Sequence, residues 1–181
     1  MSRKKVFAIS GSTRASSTNL NLLKAIARLA EDKFSISVFD GLADLPHFNP
    51  DHDNDNPPKE VLAFRNQLRE CDGILICTPE YAMGVPGTLK NAIDWTVSSM
   101  EFAHKPTALI TASTSGQKGH LSLVETLKVI EADITDETQL VISFARTKIN
   151  HDCQVTDEKT LGEINLLIDA FDKLISNVKS K

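Results

Sequence analysis

Short apolar runs alternate along the chain with longer segments in which apolar residues return every three or four positions. The runs KVFAIS (5–10), SISVFD (35–40), GILICT (73–78), TALITA (107–112) and QLVISF (139–144) predict β-strands. Several are apolar on both faces, as a parallel sheet covered by helices requires. Between them the pattern predicts helices over about 19–33, 58–70, 86–99 and 120–132. The last helix is the clearest, because Leu161, Ile164, Ile168, Phe171, Ile175 and Val178 recur at spacings of three and four.

Five strands, each followed by a helix, predict an α/β doubly wound sheet, and right-handed crossovers leave few topologies open. Five strands fit the flavodoxin-like order 2-1-3-4-5, a three-layer sandwich with helices on both faces of a parallel sheet. With 181 residues the chain has the length of one ordinary domain, so residues 1–181 are expected to form a single one. In such sheets a ligand sits beyond the carboxyl ends of the strands where the order reverses. That directs attention to the loops GSTRASSTN (11–19), PEYAMGVPG (79–87) and STSGQKG (113–119). The long acidic, proline-rich stretch 40–60, with His47 and His52, lacks metal-ligand spacing and is expected to be a solvated loop walling a site.

Composition narrows the picture mainly by exclusion. A net charge of −4 argues against nucleic acid as a partner, since duplex binders show a basic stripe. No apolar run is long enough for a membrane helix, and Met1-Ser-Arg-Lys-Lys leads directly into the short run Val6–Ile9, so a cytoplasmic protein with no membrane partner is expected. Three cysteines without a C-x-x-C pattern suggest neither a disulfide framework nor a zinc site. No metal is expected.

From Ser10 to Asn19 the chain carries six hydroxyl residues, Arg14 and an asparagine between a strand and a helix. A helix amino terminus offers free N–H groups and the positive end of its dipole, hydroxyls add donors, and Arg14 adds a fixed charge. The loop is neither G-x-x-x-x-G-K-[ST] nor G-x-G-x-x-G, which weakens nucleoside triphosphate and pyrophosphate readings. A terminal phosphomonoester, such as the 5′-phosphate of FMN, fits this donor-rich loop. The alternative is a plain capped helix start with Thr18 or Asn19 as N-cap.

In the second loop, Pro79 and Pro86 fix the backbone while Gly84 and Gly87 free it, so that backbone N–H groups can face a flat heterocycle with Tyr81 or Met83 near its ring face. The alternative is a strand-to-helix turn with Pro86 at the first helical position. Beyond it, Val85, Leu89, Ala92, Ile93, Thr96 and Met100 share one helical stripe, and Trp95 falls well off it near Asn91 and Asp94. A tryptophan there is expected at a homo-oligomer contact or a cofactor rim, the alternative being a lone exposed or intrachain-packed side chain.

GSTRASSTN and TPEYAMGVPGTLKNAIDW, with DLPHFNPD between them, resemble the NADPH-dependent FMN reductase family of flavodoxin-like proteins, and the likeness covers nearly the whole chain. The resemblance implies that Ser12, Arg14, Ser17 and Asn19, with Thr18 in the same loop, hold the FMN phosphate and ribityl end. It further implies that Pro79, Glu80, Tyr81, Ala82, Met83 and Gly84 line the isoalloxazine and that Ser113 and Gly116 approach its other side. A homodimer or homotetramer with an interface near Leu89 to Trp95 is implied as well. Family members often carry asparagine after the tyrosine, where this chain has Ala82, and a third loop richer in glycine than Ser115-Gly116-Gln117-Lys118-Gly119.

The reaction so implied is hydride transfer from NADPH or NADH to the N5 atom of FMN and onward to a small-molecule acceptor such as a quinone, a free flavin, an azo compound or a metal oxyanion. The chemistry then belongs to the cofactor and no catalytic side chain is expected. Lys118 and Arg14 are the candidates for the nucleotide phosphate, and His120 is a candidate neighbour of the flavin against a solvated helix start. Three other readings stand beside this one: a flavodoxin-like FMN electron carrier without turnover of its own, a serine hydrolase, for which the G-x-S-x-G elbow is missing, and an interaction protein that has lost the flavin.

Overall fold

A computed structural model describes residues 3–179. Five strands, β1 (Lys4–Ser10), β2 (Phe34–Phe39), β3 (Gly73–Thr78), β4 (Thr107–Ala112) and β5 (Gln139–Ile142), form one parallel sheet in the order β2-β1-β3-β4-β5. Register pairs Val6 with Ile36 on one side of β1 and with Gly73 on the other, then Ile74 with Thr107 and Leu109 with Gln139. The five helices are α1 (Thr18–Leu29), α2 (Lys59–Glu70), α3 (Gly87–Asp94), α4 (Gln117–Val129) and α5 (Glu158–Lys179).

Period-two alternation divides the strand side chains between two cores. Val6, Ala8, Leu75, Cys77, Ala108 and Ile110 pack with α1 and α5, whereas Phe7, Ile9, Ile74, Ile76 and Leu109 pack with α2, α3 and α4. β3 and β4 are buried at every position, which explains why their sequences lack polar alternation. Gly73 admits α5 at close range: a Cβ there would lie 2.8 Å from both Ile175 Cδ1 and Phe171 Cζ.

Helix ends differ from the periodic expectation where capping intervenes. α1 stops at Leu29 rather than near 33, because the Ala30 carbonyl accepts from the N–H groups of Lys33 and Phe34 and turns the chain into β2. α3 stops at Asp94 rather than near 99, since the Thr96 hydroxyl donates to the Ile93 carbonyl at 2.7 Å and competes with helical pairing. α4 spans 117–129 rather than 120–132, and β5 ends at Ile142, two residues short of the apolar run. Among the described residues no helix is long and apolar enough to cross a membrane.

Candidate functional site

The carboxyl ends of β1, β3 and β4 open into a cleft of about 550 Å³, a volume suited to a drug-sized ligand or cofactor. Ser12, Arg14, Ser17, Thr18 and Asn19 form its first wall. Gly11 lets β1 leave the sheet tightly against β3, since a Cβ there would lie 2.3 Å from Thr78 Oγ1. The N-cap of α1 is Ser17, not Thr18 or Asn19: its Oγ accepts from Leu20 N at 3.3 Å. Because that hydroxyl accepts from the helix, its own hydrogen remains to be donated outward. The Thr18 and Asn19 amides occupy the first two helical positions, ahead of intrahelical bonding.

Asn19 has a different part from its neighbours. Buried at the cleft floor, its Nδ2 donates to the Ala112 carbonyl at 3.2 Å and its Oδ1 accepts from Cys77 Sγ at 3.2 Å. The side chain thereby fastens α1 across β3 and β4. Full burial pushes the Cys77 thiol far above its ordinary pKa, so no thiolate forms under the site.

Pro79, Glu80 and Tyr81 form the second wall. Tyr81 and Gly84 exchange two backbone hydrogen bonds of 2.9 Å across a two-residue turn in which Ala82 (φ 49°) and Met83 (φ 64°) are both left-handed. Positive φ at both central residues is the requirement of a type I′ hairpin. The conformational freedom expected of glycine is therefore taken up at Ala82 and Met83. Neither they nor Gly84 line the cleft; Met83 is exposed, with Lys118 Nζ 3.5 Å from its sulfur. The Glu80 carboxylate accepts from Gly119 N at 2.7 Å, capping α4 from outside where its N-cap, Gly116, has no side chain to do so. Gly119 is needed for this seam, since a Cβ there would approach the Gly84 carbonyl oxygen to 2.7 Å.

On the third wall Ser113 and Thr114 face the cleft, but Gly116 does not. It is buried at φ 96°, and a Cβ would meet Thr111 Cγ2 at 3.1 Å and Val141 Cγ1 at 3.3 Å, so its contribution is the turn itself. His120 is neither beside the cleft nor solvated. It is buried with Nδ1 2.9 Å from Thr111 Oγ1, and burial lowers its pKa below 6.5 against an opposing hydrogen bond with Gln139.

A fourth wall went unrecognised in the sequence. Phe144, Ala145, Arg146, Thr147, Ile149 and His151 line the cleft from the segment after β5. Phe144 N donates to the Thr114 carbonyl at 3.2 Å and Ala145 N to the Ser113 carbonyl at 3.1 Å. Reading QLVISF as strand to its end hid Phe144; an arginine two residues past that run, at the same end of the sheet as Arg14, was the available signal. Arg14 and Arg146 are both exposed and form no ion pair among the described residues, while Glu80 is engaged by Gly119. The cleft therefore favours anions. Among the described residues no group of three histidine, cysteine or acidic side chains is arranged to hold a metal ion.

Two expectations are corrected outside the cleft. Trp95 is fully buried, its Nε1 donating to the Pro46 carbonyl at 2.8 Å, Phe48 edge-on at 5.0 Å and Arg65 5.9 Å from its ring centroid. Leu89, Ala92 and Ile93 are buried too, so the apolar side chains of Leu89 to Trp95 face their own core, while Lys90 is exposed and Asn91 and Asp94 are half-buried; Val97 and Met100 are exposed apolar residues nearby. The stretch 40–60 does not wall the cleft. It lies over Trp95, with Leu42 and Leu45 buried, and is clamped by Asp53, which accepts from Arg65 at 2.7 Å and from Ser98 at 2.6 Å. Burial alone would raise the Asp53 carboxyl, but the bonds from Arg65 and Ser98 outweigh it and hold the group below its ordinary value.

Comparison with known proteins agrees with this geometry. The chain is 29% identical to a quinone reductase of Escherichia coli (strain K12) over 99% of its length and 100% of that protein. It is 30% identical to a 2-hydroxy-1,4-benzoquinone reductase of Burkholderia sp, covering 92% of this chain and 93% of the relative. Among solved structures, the flavoenzyme NAD(P)H:(acceptor) oxidoreductase FerB of Paracoccus denitrificans superposes with a TM-score of 0.86 at 30% identity, covering 96% of this chain and 98% of that one. The sequence pattern of NADPH-dependent FMN reductases matches residues 4–147, and with it the sheet order, the hydroxyl-rich start of α1 and the cleft above β1, β3 and β4 find one explanation: the chain belongs to the NADPH-dependent FMN reductase family.

Proposed function

We propose that the chain uses FMN to pass a hydride equivalent from NADPH or NADH to a small organic acceptor, with quinones as the first class to test. The observation that carries this reading is a single cleft that joins the donor-rich start of α1 to an open slot between the loops after β3 and β4. Bound FMN would supply the two-electron chemistry between nicotinamide and acceptor. The protein residues supply position and charge. Ser12, Ser17 and Thr18, with the first amides of α1 and the Arg14 guanidinium, offer the separate donors that a phosphomonoester dianion needs. Pro79, Glu80, Tyr81 and Ser113 bound the slot for the flat ring. Asn19 and Glu80 act by fixing these loops to each other, since both carboxamide and carboxylate are bonded within the protein.

The names of the two reductase relatives support quinone as acceptor. FMN-loaded protein should oxidise NADPH or NADH under turnover with a benzoquinone, measured as loss of nicotinamide absorbance. A protein that binds FMN and oxidises neither nucleotide with any acceptor would be an electron carrier instead.

A further inference from the structure

We infer that the turn after β5 docks the nicotinamide nucleotide, with Phe144 stacking on one of its flat rings and Arg146 binding one of its phosphates. The inference rests on the oxidoreductase reading above and assigns residues that lie outside the loops expected to hold FMN. FMN carries one phosphate, and the start of α1 with Arg14 provides for it. A nicotinamide dinucleotide brings at least two further phosphates and two ring systems into the same cleft. Among the described residues that line it, Arg146 is the other arginine, and Phe144 is the large aromatic outside the Tyr81 loop, with the His151 imidazole further along the same segment.

The backbone independently marks this turn. Phe144 has φ 54°, a left-handed conformation uncommon for a bulky side chain, yet the ring is not buried to compensate: it is 64% exposed at the cleft wall. Hydrogen bonds from Phe144 N, Ala145 N and Ser143 Oγ to the carbonyls of Thr114, Ser113 and Ser115 hold the turn against the third wall. An exposed aromatic, presented rigidly, can stack at low entropic cost. Arg146 follows on the same turn, exposed and without an ion pair among the described residues. Lys118, the earlier candidate for the nucleotide phosphate, points instead to Met83 outside the cleft wall.

Arg146→Ala, Arg146→Lys, Phe144→Gly and Phe144→Trp test the assignment. Each is loaded with FMN, its flavin affinity is measured by fluorescence titration, and NADP⁺ and NAD⁺ binding are measured by calorimetry beside steady-state kinetics. Arg146→Ala should leave FMN affinity within about twofold and raise the nucleotide dissociation constant and KM by about tenfold or more, with partial recovery in Arg146→Lys. An equal loss for both nucleotides assigns the bound group to the pyrophosphate; a loss confined to NADP⁺ assigns it to the 2′-phosphate. Phe144→Gly relieves the left-handed strain, so its thermal midpoint should rise while nucleotide affinity falls, and Phe144→Trp should keep the affinity. Nucleotide binding unchanged in both Arg146→Ala and Phe144→Gly would overturn the inference, as would a loss of FMN affinity without a loss of nucleotide affinity. Failure of the wild-type protein to bind FMN or oxidise either nucleotide would instead overturn the reading on which it rests.

Discussion

Arg65 shows how one charged residue can decide the fate of a feature far from it in sequence. Its guanidinium donates to the Trp95 carbonyl and to Asp53, with both charged side chains almost out of water. Truncation would leave the Asp53 carboxylate buried without its cation, a situation that typically costs about 3 to 5 kcal/mol. Arg65→Ala should therefore lower the urea midpoint strongly, and the fluorescence of Trp95, the single tryptophan, reports it. A loss below about 1 kcal/mol would place the pair among the weak surface bridges. His120 makes a prediction in pH. Its folded pKa lies below 6.5, so the unfolded chain binds more protons as acidity increases. The stability contributed by the neutral ring is complete above the unfolded pKa and is lost as pH falls from there towards the folded value. Unfolding free energy of the wild type should thus decline more steeply from pH 7 to 5 than that of His120→Gln; parallel curves would remove His120 as a source.

The hairpin Tyr81–Gly84 holds alanine in a left-handed conformation at position 82. A type I′ turn asks for positive φ at its two central residues, which asparagine meets better than alanine. Ala82→Asn should therefore stabilise the fold by about 1 kcal/mol, read as a higher thermal midpoint. No change would mean that the turn relaxes around alanine at no cost. The sequence showed the five strands and the hydroxyl loop because these depend on local periodicity and on residues next to one another, and the strand order because right-handed crossovers leave a five-stranded parallel sheet few topologies. It did not show the left-handed pair at Ala82 and Met83, where glycine at 84 and 87 was the natural expectation. Nor did a helical wheel show that Trp95 is buried: its cover, Pro46 and Phe48, arrives from a distant segment. The wall built by Phe144 and Arg146 escaped notice because the apolar run overshoots the strand by two residues.

The whole molecule places four loops from one end of a parallel sheet around a common cleft and ties them together through the protein's own hydrogen bonds. Glu80 reaches the start of α4, Asn19 bridges to β4, and the turn after β5 bonds to the loop after β4. Such preorganisation lowers the entropic cost of holding a flat cofactor. We propose that this cleft binds FMN with its phosphate at the start of α1. Titration of flavin-free protein with FMN, followed by fluorescence, tests it in wild type and Arg14→Ala side by side. Saturable binding of one FMN per chain, weakened by about 1.5 to 3 kcal/mol in Arg14→Ala, is the predicted result; absence of saturable binding, or equal affinity in the two proteins, would contradict it.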